Sequence, residues 1–276
     1  MLCRLFSANS NIDFDEWIEG VLGNNMFRGK SYLRFARYKS YARLWQVSTI
    51  VGALEMYCKQ HQKPPESCHV LDVGAGLGNI TITLSALGFY VTGVDVDREA
   101  TLQANRRKNG QKKAEFVLSH DLKAFKQTEV FDAIICSHVL EHLEDPETFL
   151  RIAIRSLVPG GLFLVIVPNG FGLGEFFREC IAFARRMRLL CSYSSQKISQ
   201  EHHGSKHVQH FTMWRLNRLI GKHMNFKLLS RLSYVSGLPV VERYPFSLLD
   251  LRIVELLPRF VADIWMVEGI KPPLSK

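Results

Sequence analysis

Val70-Leu71-Asp72-Val73 runs directly into Gly74-Ala75-Gly76-Leu77-Gly78, and no other stretch of the chain restricts its fold as strongly. The apolar and β-branched residues around Asp72 read as a short buried strand, and the glycines let the backbone turn sharply without a Cβ clash. Ile80 to Ala86 then resumes as a helix whose first N–H groups face the turn, which makes a seat for the polar part of a cofactor. Gly88-Phe89-Tyr90 ends that helix and opens a second strand, Val91 to Val94, with Asp95 at its carboxyl end. An acid there accepts both hydrogen bonds of a ribose diol.

The pattern repeats downstream. Arg98 to Asn109 reads as a polar helix, Glu115 to Leu118 as a third strand with Asp121 following it, and Phe131 to Cys136 as a fourth strand. Glu147 to Leu157 reads as a helix ending in Pro159-Gly160-Gly161, and Leu162 to Val167 as the fifth strand. Strands alternating with helices predict a parallel sheet covered on both faces. Ahead of it, residues 13–60 read as helices, passing through the aromatic and basic stretch Tyr32 to Tyr38, and Lys63-Pro64-Pro65-Glu66 is a linker. The expected division is a helical N-terminal arm, 1–66, and an α/β domain, 67–276. Within that domain, 170–206 breaks the rhythm with an amphipathic basic helix, Phe176 to Leu190, and a polar loop, Ser192 to Gly204. Thr212 to His223 returns as a helix, and Lys227 to Tyr234 and Ala262 to Val267 read as closing strands around an apolar insertion, Val235 to Pro258.

Glycine spacing separates two ligand classes. A dinucleotide fingerprint, G-x-G-x-x-G, needs glycine at 79, where this chain has Asn79. Asp72, two residues before the first glycine, would repel a pyrophosphate but suits an ammonium or sulfonium, which favours S-adenosylmethionine. Hydrophobic residues make up 47% of the 276 and charged residues 22%, enough for a full core. No apolar run reaches the roughly 18 to 20 residues that cross a bilayer, and Met1 to Phe6 is too short for a signal peptide. Cysteines 3, 58, 68, 136, 180 and 191 form no C-x-x-C pair, so reduced thiols in the cytoplasm are expected, with Cys136 in the core. The net charge of +9 gathers in Arg28–Arg43, Arg106–Lys113, Arg178–Arg188 and Arg215–Arg231. At helical spacing these read as solvated faces ahead of a nucleic-acid groove, with an anionic membrane surface or a phosphorylated substrate between the two.

Taken together, the motifs resemble those of the class I S-adenosylmethionine-dependent methyltransferases, over about Val70 to Val167 with a weaker tail at His207 to Phe226. Asp72 to Gly78 is similar to the family's first motif, Asp95 to its ribose acid, Asp121-Leu122 to its adenine-side pair, Phe131 to Leu143 to its fourth-strand motif, and Leu157 to Phe163 to its turn before the fifth strand. Val139-Leu140-Glu141-His142 and His207 to Thr212 look most like the branch of ubiquinone-biosynthesis O-methyltransferases and small-molecule tailoring methyltransferases. The resemblance implies a Rossmann-like α/β fold with a mostly parallel seven-stranded sheet and a reversed last hairpin, helices on both faces, the helical arm, and a helical insert after strand 5. It also implies cofactor-binding roles. Gly74, Gly76 and Gly78 would admit the methionine part, Asp95 the ribose, and Asp121 and Leu122 the adenine, with Ser137 touching the cofactor from the fourth strand. Asp72, Asn79 and Val96 complete the set, and Arg43 would reach the methionine carboxylate from the arm.

Methyl transfer from a sulfonium is an in-line displacement in which alignment supplies much of the rate. A phenol or alcohol acceptor also needs a base, and His142, His138 and His207 are the candidates, with His142 first because it is expected to begin the helix after the fourth strand. His138-Val139-Leu140-Glu141-His142 also reads as H-x-x-E-H, two histidines that share a metal with Glu141. Quinone-type members carry an acid where this chain has His138, so a divalent metal is the less favoured reading. Among His202, His203, His207 and His210, a polar loop is the blander account. The insert 170–206 and the arm are expected to cover the cofactor and shape the acceptor pocket. Phe171, Phe176, Phe177 and Phe183 suggest an apolar or lipid-like acceptor, and Arg178, Arg185, Arg186 and Arg188 a phosphate or a membrane face at which the protein docks peripherally, while ordinary core aromatics and solvent-facing arginines are the favoured alternative. Two other functions compete: an RNA methyltransferase, which lacks an N-P-P-Y-type clamp where Ser137-His138-Val139-Leu140 stands, and a cofactor-binding scaffold without activity.

Overall fold

The computed structural model describes residues 13–23, 25–119, 129–170, 209–233 and 264–272. Seven strands form one sheet: β1 (His69–Val73), β2 (Tyr90–Asp95), β3 (Ala114–Leu118), β4 (Phe131–Ser137), β5 (Leu157–Pro168), β6 (Asn225–Ser233) and β7 (Ile264–Ile270). Their order is β3-β2-β1-β4-β5-β7-β6. Pairs from β3 through to β5 are parallel, and β7 runs antiparallel to both β5 and β6. The order reverses between β1 and β4, so a crevice opens there at the carboxyl ends of the strands, the place where such sheets receive ligands.

Period-two alternation sorts the strand residues onto two faces. Val70, Ala133, Ile135, Leu164 and Ile166 join one apolar cluster, while Leu71, Val73, Ile134, Cys136, Val165 and Val167 join the other. Helices cap both. The first cluster takes Ile80 and Leu84 from the helix Asn79–Ala86, and Ile18, Leu33, Leu44, Ile50 and Leu54 from the arm, all buried. The second takes Phe149 and Leu150 from the helix Pro146–Ser156, and Leu216 and Ile220 from the helix Met213–Ile220. Each buried arm leucine or isoleucine contributes about 1.5–3 kcal/mol, so the arm shares the core of the sheet.

Local chemistry sets the helix ends. Ser40 caps the long arm helix Tyr41–Gln60 by accepting from the Arg43 N–H at 3.4 Å. Asp97 caps Arg98–Arg107 through the N–H groups of Glu99 and Ala100 at 2.8 and 3.1 Å. Asp145 accepts from Thr148 at 3.0 Å, with Pro146 in the first turn, and starts Pro146–Ser156.

Several boundaries depart from expectation. The stretch Tyr32 to Tyr38 is helical only at Leu33–Ala36, because Arg37 turns left-handed at φ 54°. The helix expected to reach Asn109 stops at Arg107, and Asn109 and Gly110 follow with φ of 43° and 77°. β5 begins at Leu157 rather than Leu162: Leu157 pairs with Phe131, and the register shifts before Leu162 meets Ala133. Pro159-Gly160-Gly161, expected as a turn, lies within that strand, with Gly160 at φ 76°. The closing strands run Asn225–Ser233 and Ile264–Ile270. No described helix is long and apolar enough to cross a membrane.

Candidate active site

The glycine turn follows β1 and is tied to β2. Gly74 and Ala75 both donate to the Val94 carbonyl, at 2.8 and 3.0 Å, and Gly78 donates to Ala75 at 2.9 Å. Gly78 has φ 77°, and a Cβ there would press on the Phe116 ring and on Ala104, so this position demands glycine. Asp95, half-buried at the end of β2, reaches across the crevice: its Oδ2 accepts from the Gly76 N–H at 2.6 Å and its Oδ1 from the Asp97 N–H at 2.9 Å. Asn79 opens the following helix with its side-chain oxygen buried and without a hydrogen bond among the described residues. Val96 is 60% exposed beside Asp95.

Asp72 lies under the turn rather than on it. Its carboxyl group is buried; Oδ2 accepts from the Thr81 hydroxyl at 2.7 Å, and Oδ1 has no hydrogen-bond partner among the described residues. Burial, reinforced by the nearby Asp95 charge and opposed by the Thr81 bonds, pushes its pKa up to about 7. Gly93 makes room for this arrangement, since a Cβ there would fall 2.7 Å from the Thr81 hydroxyl.

β4 carries the other wall. Ser137 at its end accepts a hydrogen bond from the Gln46 amide at 2.7 Å, and the Gln46 carbonyl accepts from Arg43 at 3.2 Å. These contacts bring the arm to the crevice. His138 then leaves the strand in a left-handed conformation, φ 57°, while its N–H still donates to Ile166 at 2.9 Å. For a non-glycine residue at a strand end that backbone is uncommon, and it frequently marks a functional site. Its Nδ1 lies 3.3 Å from Oε1 of buried Glu141, close enough for an ion pair when the imidazole is protonated.

His142 closes a short 3-10 turn, Leu140–His142, and does not begin a helix as expected; the helix waits for the Asp145 cap and Pro146. Gln209 braces this turn. Its N–H donates to the Glu141 carbonyl at 3.1 Å, and its amide donates to the Leu143 and Glu144 carbonyls at 2.8 and 2.9 Å. Gly170, donating to Phe211 at 2.8 Å, leaves the sheet beside the same segment. Gly170 is thereby tied to Phe211, two residues after the Gln209 that braces the histidine turn.

A family model described as a methyltransferase domain matches residues 50–232, most of the chain and the crevice just described apart from Arg43 and Gln46 of the arm. The chain belongs to this methyltransferase family. The mitochondrial ubiquinone biosynthesis O-methyltransferase of Homo sapiens is 36% identical over 132 residues, which is 45% of this chain and 36% of that protein. The ubiquinone biosynthesis O-methyltransferase of Xanthomonas axonopodis pv. citri is 35% identical over 124 residues, 43% of this chain and 52% of that protein. The chain thus spans about half or less of the length of these relatives. The fold is shared with a SAM-dependent methyltransferase from Archaeoglobus fulgidus at a TM-score of 0.51 and 15% identity, covering 80% of this chain and 94% of that one. It is shared equally with PKMT2 of Rickettsia typhi, solved with AdoHcy, at a TM-score of 0.51 and 14% identity, covering 77% and 51%.

Within this methyltransferase, the crevice gathers Asp72, Gly74, Gly76, Gly78, Asn79, Asp95 and Val96 around the turn. Ser137, His138 and His142 follow β4, and Arg43 joins Ser137 through Gln46. Asp121, Leu122, His207, His202, His203 and the phenylalanines and arginines of the insert lie outside the described residues. Among the described residues no group of three His, Cys, Asp or Glu side chains is arranged to hold a metal ion. Sequence reasoning missed Thr81, whose partner Asp72 lies nine residues before it, and Gln46, whose partner Ser137 lies 91 residues after it. It also missed Gln209, whose role depends on where the chain returns after the insert. Gly93 was the one available signal, a glycine inside a strand that marks close approach.

Proposed function

We propose that this chain transfers a methyl group from S-adenosylmethionine to an oxygen of a small, apolar acceptor. The observation that carries the reading is the junction of the first two strands, where Asp95 at the end of β2 accepts from the Gly76 N–H of the glycine turn at 2.6 Å. A ribose diol suits an acid held there. S-adenosylmethionine supplies an electrophilic methyl group on a positively charged sulfur. Arg43 would hold the carboxylate of its amino-acid arm, and the resemblance to the family assigns its adenine to Asp121 and Leu122.

The chain's own work is alignment and proton removal. Ser137 and the histidine turn bound the side of the crevice from which an acceptor enters, and His142 takes the hydroxyl proton as the oxygen gains the methyl group. His138, beside Glu141 at 3.3 Å, orients that turn. The relatives named as ubiquinone biosynthesis O-methyltransferases support oxygen as the acceptor atom. The arm and the insert 170–206 shape the acceptor pocket. Incubation with methyl-labelled S-adenosylmethionine and a panel of catechols, phenols and polyprenyl-substituted phenols, read by mass spectrometry, is expected to yield a labelled methyl ether. Label on nitrogen or carbon alone would overturn the acceptor atom, and absence of S-adenosylmethionine binding in calorimetry would overturn the whole reading.

A further inference from the structure

Gln46 is 3% exposed, yet it is an uncharged polar side chain in the middle of an otherwise apolar interface between the arm helix and the sheet. Burying an amide is unfavourable unless both its ends are hydrogen-bonded, and here both are: the NH2 donates to Ser137 at 2.7 Å and the carbonyl accepts from Arg43 at 3.2 Å. Among the described residues no carboxylate pairs with Arg43. A glutamate of the same length would also accept from Arg43 and from the Ser137 hydroxyl, and would add an ion pair. The structure therefore has a neutral residue where a charged one fits.

We infer that Gln46 is a positioning residue that holds the Arg43 guanidinium at the carboxyl end of β4 without neutralising it, keeping its charge for the carboxylate of the bound cofactor. The inference rests on the S-adenosylmethionine reading above. A guanidinium tethered by a neutral acceptor keeps its full attraction for an incoming carboxylate, whereas one already in an ion pair must give up that pair first.

Calorimetry on the full chain tests this with two probes, S-adenosylhomocysteine and 5′-methylthioadenosine, the second lacking the amino-acid arm. Gln46→Glu is expected to keep the thermal midpoint of unfolding. It should weaken S-adenosylhomocysteine about tenfold or more, the scale of a charge-assisted hydrogen bond, and leave 5′-methylthioadenosine unchanged. Arg43→Ala should show the same ligand-selective loss, and the double variant should bind no more weakly than Arg43→Ala. Gln46→Met, which cannot tether Arg43, should also lose S-adenosylhomocysteine selectively. Wild-type affinity in Gln46→Glu, or equal loss of both probes, overturns the inference while leaving the cofactor reading intact. A wild-type chain that binds neither probe overturns both.

Discussion

The two ends of β4 are built from similar materials to opposite effect. At the amino end, Asp132 is buried and fully met: Oδ1 accepts from Lys63 Nζ at 2.6 Å and from the Tyr57 hydroxyl at 3.3 Å, and Oδ2 accepts from the His69 N–H at 2.9 Å. Toward the carboxyl end, Asp72 Oδ1 and Asn79 Oδ1 are buried without hydrogen bonds among the described residues, and buried Glu141 has only the imidazole of His138, at 3.3 Å, as a side-chain partner among them. A folded chain leaves few buried polar atoms unmet, and an accumulation at one end of a strand is the mark of a ligand's place. Burial alone does not separate structural from functional acids. Asp132 and Asp72 differ in the partners they already have, since both oxygens of Asp132 accept hydrogen bonds and only one of Asp72 does among the described residues.

This contrast can be broken or sharpened from either side. The largest effect is expected from His142→Ala, which should lower turnover by about 10²- to 10⁴-fold, the usual range for a general base, with cofactor affinity unchanged in calorimetry. An undiminished rate would remove His142 from the chemistry. Asp132→Ala should cost about 3 kcal/mol in urea denaturation, the low end for breaking a buried pair because Lys63 is partly exposed. Its folded fraction should bind S-adenosylhomocysteine normally, and a selective loss of binding there would erase the distinction between the two ends. Asp95→Ala should instead weaken cofactor binding by about 1.5–3 kcal/mol with little change in the unfolding midpoint.

The last effect is a change of slope with pH and concerns Asp72. Its pKa, raised to about 7 in the folded chain from 3.8, means that between pH 4 and 7 the folded state holds a proton the unfolded state has lost. This group therefore makes stability fall as pH rises through that window, by at most about 1.4 kcal/mol per pH unit, and level off above it. Asp72→Asn should flatten that slope. Thermal unfolding of both chains across pH 4.5–8 would show it, and identical slopes would mean that burial does not hold the proton on Asp72.

Local pattern accounts for what could be read from sequence. Strands β1 to β4 and the helices between them follow from apolar runs, glycines and caps that lie within a few residues of one another, and so do the glycine turn and Asp95. Other features depended on distance. Gln46 and Ser137 are 91 residues apart, and nothing near either announces the other. Asp72 was expected to face a ligand, and its inward turn toward Thr81 needed the helix packed above it. β5 was expected late because Pro159-Gly160-Gly161 reads as a turn in any local window, whereas Leu157 already pairs with Phe131 of β4, and Gly160 and Gly161 are hydrogen-bonded to Lys271 just past β7. His142 was expected to start a helix, but the start was set three residues later by Asp145.

The arm helix touches both ends of the strand it crosses, through Gln46 at Ser137 and Tyr57 at Asp132. The eleven steps from Gln46 to Tyr57 rise about 16.5 Å at 1.5 Å each, and the five steps from Asp132 to Ser137 advance about the same at 3.3 Å each. The two elements therefore act as matched rulers running in opposite directions. One residue inserted into or deleted from the helix between those contacts would rotate one of them by about 100° and carry it off the sheet. This segment is accordingly open to substitution along its outer face but closed to any change of length between Gln46 and Tyr57.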